Sequence, residues 1–150
     1  MKKILFFLFA LLFCGVNAFS QADKIMGVWL TQESNSQVVI TKMSDGKYYG
    51  QIKWLKEPLE NGKAKLDKNN PETKYRNRPL LNLLLLNSFT YNSSDKIWEN
   101  GTIYDPKSGK TYKCKIWFDG NDDKTLHVKG FIGISIVGKE VKWARENKVR

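Results

Sequence analysis

From Ile103 to Phe118 the chain changes period in a way that few folds tolerate. Tyr112, Cys114, Ile116 and Phe118 alternate with Lys113, Lys115 and Trp117. Side chains that repeat every two residues line one face of a strand, so this stretch has an apolar face and a polar one. Asp105-Pro106-Lys107-Ser108-Gly109 stands immediately before it. Proline presets the first turn dihedral and Gly109 can take a positive φ, so a hairpin turn is expected there. Gly109-Lys110-Thr111 resembles the end of a phosphate-binding loop. That loop needs a glycine five residues earlier and a helix after it. Tyr104 occupies the first place and a strand the second, so a nucleotide loop is excluded.

The same punctuation runs through the chain. Strand-sized pieces cover Gly27 to Glu33, Gln37 to Met43, Lys47 to Lys56, Leu83 to Tyr91, Ile97 to Tyr104, Lys110 to Phe118, Leu126 to Ile132 and Ile134 to Arg145. Glu33 to Ser36, Ser44-Asp45-Gly46, Asn92 to Asp95, Asp119 to Asp123 and Gly133 supply the turns. A meander of this kind buries its apolar face by curling, and closure removes the exposed edges. The expected fold is all-β, a closed or nearly closed antiparallel up-and-down barrel of about eight strands. Two segments resist. Glu57 to Pro79 has no clear period and is long for a loop in a compact domain. Leu80 to Leu86 is apolar except at Asn82 and follows Pro79, so a short buried helix competes there with a strand.

The first twenty residues read as a leader. Lys2 and Lys3 precede ten apolar residues, Ile4 to Phe13, and small residues lead to Ala18-Phe19-Ser20. This is the layout of a secretory signal peptide cut after Ser20, or after Ala18 as second choice. Ten residues are about half of a membrane span. Cys14 as a lipoprotein cysteine is disfavoured by bulky Phe13 before it. The expectation is therefore a leader, 1–20, and one barrel domain, 21–150, exported to the periplasm or beyond without a transmembrane segment. Taking Lys2 and Lys3 from the 25 basic residues leaves 23 against 15 acidic ones, a net charge of +8. Such a charge keeps a protein in solution and favours anionic lipid, polysaccharide or acidic partners. The lysines are spread over nearly every segment rather than gathered in a stripe, which, with export, argues against nucleic acid. Cys114 is left without a partner and, on the apolar face of its strand, is expected to be buried and inert.

Gly27-Val28-Trp29 opens the first strand and Trp143-Ala144-Arg145 closes the last. First and last strands of a closed barrel are neighbours, which lets Arg145 lie across Trp29 and plug one end. This resembles the Gly-x-Trp and distal arginine of the calycins, the lipocalin and avidin relatives. A wider match runs through Tyr49-Gly50-Gln51-Ile52, Asp67 with Asn70-Pro71, Arg78-Pro79-Leu80 and Gly101-Thr102-Ile103-Tyr104-Asp105-Pro106. It continues through Gly109-Lys110-Thr111-Tyr112, Gly130-Phe131-Ile132-Gly133-Ile134-Ser135 and the Trp143–Arg145 pair. Together these are similar to an uncharacterised exported bacterial family, domain-of-unknown-function family 2147. The resemblance implies a lipocalin-like barrel in the cell envelope and brings no catalytic residue. Its signature positions here are Gly27, Trp29, Asp105, Pro106, Gly109, Gly130, Gly133, Trp143 and Arg145. Asn82 and Asn87 stand where the family leads one to expect glycine.

Catalytic and metal chemistry find little footing. His127 is the sole histidine, too few for a zinc site with Cys114, and is expected to face outward. Asp67-Lys68-Asn69 and Asp119 to Asp123 imitate calcium loops but lack the glycine and the bidentate glutamate. Ser108 with Lys110, or Asp105 with Tyr112, would be the candidates for a hydrolase, and both pairs lie in or beside a turn. No cofactor, metal ligand or catalytic residue is assigned, and enzyme status stays open. The expected role is binding of a small hydrophobic or anionic amphiphilic ligand. Trp54 and Tyr112 would line the barrel, and Arg76, Arg78 and Lys110 would meet a head group at its mouth. Arg76 and Arg78, two apart on extended chain before Pro79, are expected to converge on one anion, or else to pair with Glu72 or Asp67 in a solvated loop. The alternative is a filled barrel acting as an envelope interaction module through its loops.

Overall fold

The computed structural model describes residues 20–131 and 138–150. Residues 1–19 of the leader and Gly133 lie outside the described residues. Eight strands close into one barrel: β1 (Gly27–Leu30), β2 (Ser36–Lys42), β3 (Tyr48–Leu55), β6 (Leu84–Asn92), β7 (Ile97–Asp105), β8 (Lys110–Trp117), β9 (Thr125–Phe131) and β10 (Glu140–Glu146). All neighbours are antiparallel and follow chain order, and β10 returns to pair with β1 through Trp29 opposite Arg145. Two short strands, β4 (Leu59–Glu60) and β5 (Lys63–Ala64), form a separate hairpin between β3 and β6.

The period-two pattern decides which side faces in. Trp29 pairs with Val38, Val38 with Ile52, Ile40 with Gly50, Trp98 with Ile116, and Ile116 with Val128. These positions are buried, and the alternate ones carry Lys113, Lys115 and Lys142 toward solvent. An apolar inside and a charged outside reverse the polarity of a lipid-facing barrel. The middle of the barrel is filled. The Phe89 ring lies so close over Gly101 that an added Cβ would come within 2.5 Å of it. Leu86 and Val38 crowd Gly50 at about 3.0 Å in the same way.

The leucine run resolves into a turn and a strand. Asn82 has φ 69°, in the left-handed region where a glycine would be at ease and asparagine is the next best residue. That kink ends any helix at once and sends Leu84 into β6. The second departure from glycine, Asn87, has no positive φ, while its neighbour Ser88 does, at 60°. In the long segment after β3, Asn61 (φ 50°) and Gly62 (φ 75°) turn the β4–β5 hairpin. This is the paired positive-φ turn that Asn-Gly favours. The Asn-Gly dipeptide was the signal available for it.

Candidate functional site

One barrel end is plugged. A single 3₁₀ turn, Gln21–Ile25, lies across it with Ile25 fully buried. Trp29 Nε1 donates to the Ile25 carbonyl at 2.8 Å, Trp98 Nε1 to Ala22 at 3.0 Å, and the Tyr48 hydroxyl to Asp23 at 2.6 Å. The Tyr48 hydrogen bond, foremost, holds the Asp23 carboxyl below its ordinary range. Burial, and then Asp23, push the Tyr48 phenol up. Arg145 stacks over the Trp29 indole with its guanidinium carbon 4.2 Å from the ring centre. Its Nε donates to Asp123 O at 2.7 Å, Nη1 to Met26 O at 3.0 Å and Nη2 to Lys24 O at 2.6 Å. Gly27 leaves room for this: its φ is 135°, and a Cβ there would sit 2.9 Å from Arg145 Nη1. Phe118 packs between Trp29 and Trp98, with ring centres 5.8 and 5.6 Å away.

Tyr112 and Lys110, expected to meet the ligand, lie at the opposite end. Ile103 and Tyr112 are a cross-strand pair, and the Cα face of Gly130 lies against both. All three point inward but stay half-exposed, unlike Cys114 and Ile116 deeper in the same strand. Lys110, exposed, shares the Tyr112 side of β8 at the rim. Burial pushes the Cys114 thiol up to about 12, as an inert core residue requires.

The long segment docks on this end through a buried charge. Asp67 is 0% exposed. Its Oδ1 accepts the Tyr104 hydroxyl at 2.6 Å, and Oδ2 accepts Asn70 Nδ2 at 2.8 Å and Arg78 Nε at 3.0 Å. Arg78 Nη2 lies 3.0 Å from the same oxygen, while the guanidinium also covers the Tyr75 ring. Burial, and then the Asp67 contact, push Tyr104 up to about 12. Arg76 Nε donates to Asn70 O at 2.8 Å. The expected converging arginine pair is therefore corrected: Arg78 gives its fork to Asp67, and Arg76 braces the backbone of the same loop. Both sit beside Tyr104, on the side of β7 opposite Ile103, whereas Lys110 and Tyr112 belong to the inner side.

Trp54 is also corrected. A β-bulge between Gln37 and Val38 in the β2–β3 pairing sets Trp54 opposite Gln37 instead of extending the Ile52 face. Gln37 alternates with the inward Val38, and Arg150 lies over the Trp54 ring at 5.1 Å. A bulge adds one residue and reverses the side of everything after it. Trp54 is thus on the outside, under the C-terminal residues.

The hydrolase candidates resolve into turn chemistry. Asp105 Oδ1 accepts the Lys107 amide at 3.0 Å, and Oδ2 accepts the Ser108 hydroxyl at 2.7 Å. Gly109 (φ 69°) completes the turn, and Asn69 O occupies the space its Cβ would need, at 1.9 Å. His127 faces outward as expected yet is only 4% exposed. Its Nε2 lies 2.9 Å from Asp119 Oδ2, its Nδ1 2.9 Å from Glu140 Oε1, and its ring stacks on Trp117. Among the described residues no cluster of His, Cys, Asp and Glu is arranged to hold a metal ion.

The model of a bacterial family, described as uncharacterized protein conserved in bacteria (DUF2147), matches residues 27–145. The chain belongs to the DUF2147 family. The matched segment begins at Gly27 and ends at Arg145, the two residues that meet in the plug. Among solved structures it is similar to protein HP1028 from Helicobacter pylori, described as belonging to the lipocalin family. The identity is 26%, the TM-score 0.66, and the match covers 81% of this chain and 82% of that one. This DUF2147 protein therefore has a lipocalin-like barrel. No curated protein matches it.

Proposed function

We propose that this DUF2147 protein is an exported, non-enzymatic binder of a small anionic amphiphile, held at the barrel end away from the Arg145 plug. One observation carries the reading: the inward residues Ile103, Tyr112 and Gly130 are half-exposed at that end, while the other end is sealed by Gln21–Ile25 and Arg145. An apolar patch with a few polar anchors is what small-ligand sites offer. Tyr112 supplies an aromatic face and Lys110 a cation at the rim for a carboxylate or phosphate head. Because the barrel's middle is filled by Phe89 and Leu86, the ligand's apolar part is short or stays near the mouth. Export rests on the leader layout of residues 1–20. The lipocalin-like fold is consistent with a binder, as it is with many other roles.

The filled middle also favours a second reading, an envelope interaction module acting through its loops. Native mass spectrometry on protein purified from its own cells separates them. Extra mass of hydrophobic material supports the binder, and bare protein supports the module. In vitro, dansyl-undecanoate should brighten on binding, and Lys110→Gln with Tyr112→Ala should weaken it at least tenfold. Undiminished binding by that double variant rejects the mouth site.

A further inference from the structure

A cavity lies outside the barrel, at the plugged end and far from Tyr112. It encloses about 280 Å³ between the 3₁₀ turn, the β6–β7 turn and the β8–β9 loop. Gln21, Asp95, Ile97, Trp117 and Asn121 line it. Its floor is the cross-strand pair Ile97 and Trp117 on the outer face. His127, the next residue across on β9, stacks against the indole with ring centres 5.2 Å apart and planes 21° apart. Trp117 borders the cavity and His127 does not.

The platform is rigid. His127 is gripped from both sides by Asp119 and Glu140, and Trp117 Nε1 donates to Asp119 Oδ1 at 3.2 Å. His127 thus acts as a positioning residue for the indole. Around it stand two amides, a carboxylate and the Lys96 cation, whose charge balances that of Asp95. Among the described residues, the side chains of Gln21 and Asn121 make no hydrogen bond within the protein, and Asp95 accepts one, from Asn92. An amide both donates and accepts, and a carboxylate accepts at several positions, which suits a ring of hydroxyl groups. The indole face carries negative charge density and attracts the weakly positive C–H face of a sugar ring. A cavity just below the ~300 Å³ of the smallest drug-sized pockets fits a unit of that size.

We propose that Trp117, Asp95, Asn121 and Gln21 form a binding site for one neutral pyranose unit of a glycan, stacked on Trp117. N-acetylated and plain glycans share this chemistry, so the test uses one of each. Full-length mature protein labelled with ¹⁵N is titrated with chitotetraose and, separately, cellotetraose to about 10 mM. A Kd of about 1 mM, or −4 kcal/mol, would then give near saturation. The Trp117 indole N–H and the Asn121 side-chain amide should shift with at least one of them. The responding sugar tells whether the acetamido group is needed. Trp117→Ala and, as a variant in an exposed loop that leaves the barrel untouched, Asn121→Ala should each weaken binding at least tenfold, while Lys63→Gln in the separate β4–β5 hairpin leaves it unchanged. Fixed resonances with both sugars overturn the proposal, as does binding that survives both variants.

Discussion

Replacing Arg145 by alanine removes a set of contacts whose worth can be reckoned separately. The cation stacked at 4.2 Å on a fully buried Trp29 contributes about 1–2 kcal/mol. The hydrogen bond to Met26 O is partly buried, and a charged donor there adds about 1.5 kcal/mol. The bonds to Lys24 and Asp123 are exposed, and water replaces them at small cost. Burial lowers the Arg145 pKa, against a smaller opposing effect of Asp123, so desolvation offsets part of the gain. The expected loss is about 3 kcal/mol, or about 10 °C in Tm for a chain of this size. Urea unfolding followed by tryptophan fluorescence measures it. Arg145→Lys should recover less than half, because the charge returns without the fork. Gly27→Ala provides a second arm: it should cost more in the wild type than in the Arg145→Ala background, where the crowding at Nη1 is gone and only the φ strain is left. An alanine variant within about 0.5 kcal/mol of wild type, or strictly additive costs in the double variant, would refute the argument.

Three further outcomes follow from the docked segment. Because the folded Tyr104 pKa is raised to about 12 from 10, its contribution to stability is complete below pH 10 and is lost as pH rises through 12. Tyr48 is raised too and acts with the same sign, so urea midpoints should fall progressively above pH 10. Asp67→Asn should cost about 1–2 kcal/mol, because a buried acceptor of charge-assisted bonds is lost while water screens the half-exposed Arg78, and should bring the Tyr104 phenol closer to 10 in an ultraviolet titration. Gly109→Ala demands a Cβ where Asn69 O already sits, at a positive φ. It should detach the long segment from the β7–β8 turn, visible as faster proteolysis between residues 56 and 83.

The barrel was legible because its information is local. Alternation, turn dipeptides and the Gly27–Trp29 and Trp143–Arg145 ends each occupy a few residues, and closure follows from edges that need partners. The candidate site was less so. The side of β8 that Tyr112 takes was legible because alternation runs unbroken through Cys114 and Ile116. Trp54 was misplaced because a single extra residue at a bulge leaves no mark in composition. For Arg76 and Arg78 the pairing with Asp67 was one of two open readings, but its burial was not legible, because Asp67 is held by a tyrosine from β7. Nothing in a loop without periodicity announces a buried carboxylate. The leucine run was ambiguous for the reason that Leu suits both structures, and Asn82 decided it through a backbone angle.

The pairing of β1 with β10 has a consequence for the order of events during synthesis. Residues near the start of the barrel find their second neighbour more than a hundred positions later, with Trp29 waiting for Arg145. Until the final strand emerges β1 keeps an unpaired edge and Trp29 lacks its cover. Such distant pairings fold slowly, in milliseconds to seconds, and exposed edges recruit other chains meanwhile. A nascent chain of this kind therefore depends on being kept apart from its copies until β10 arrives. A premature stop before Glu140 would leave β1 and β9 as two permanent edges and make aggregation, rather than loss of ligand, its first symptom.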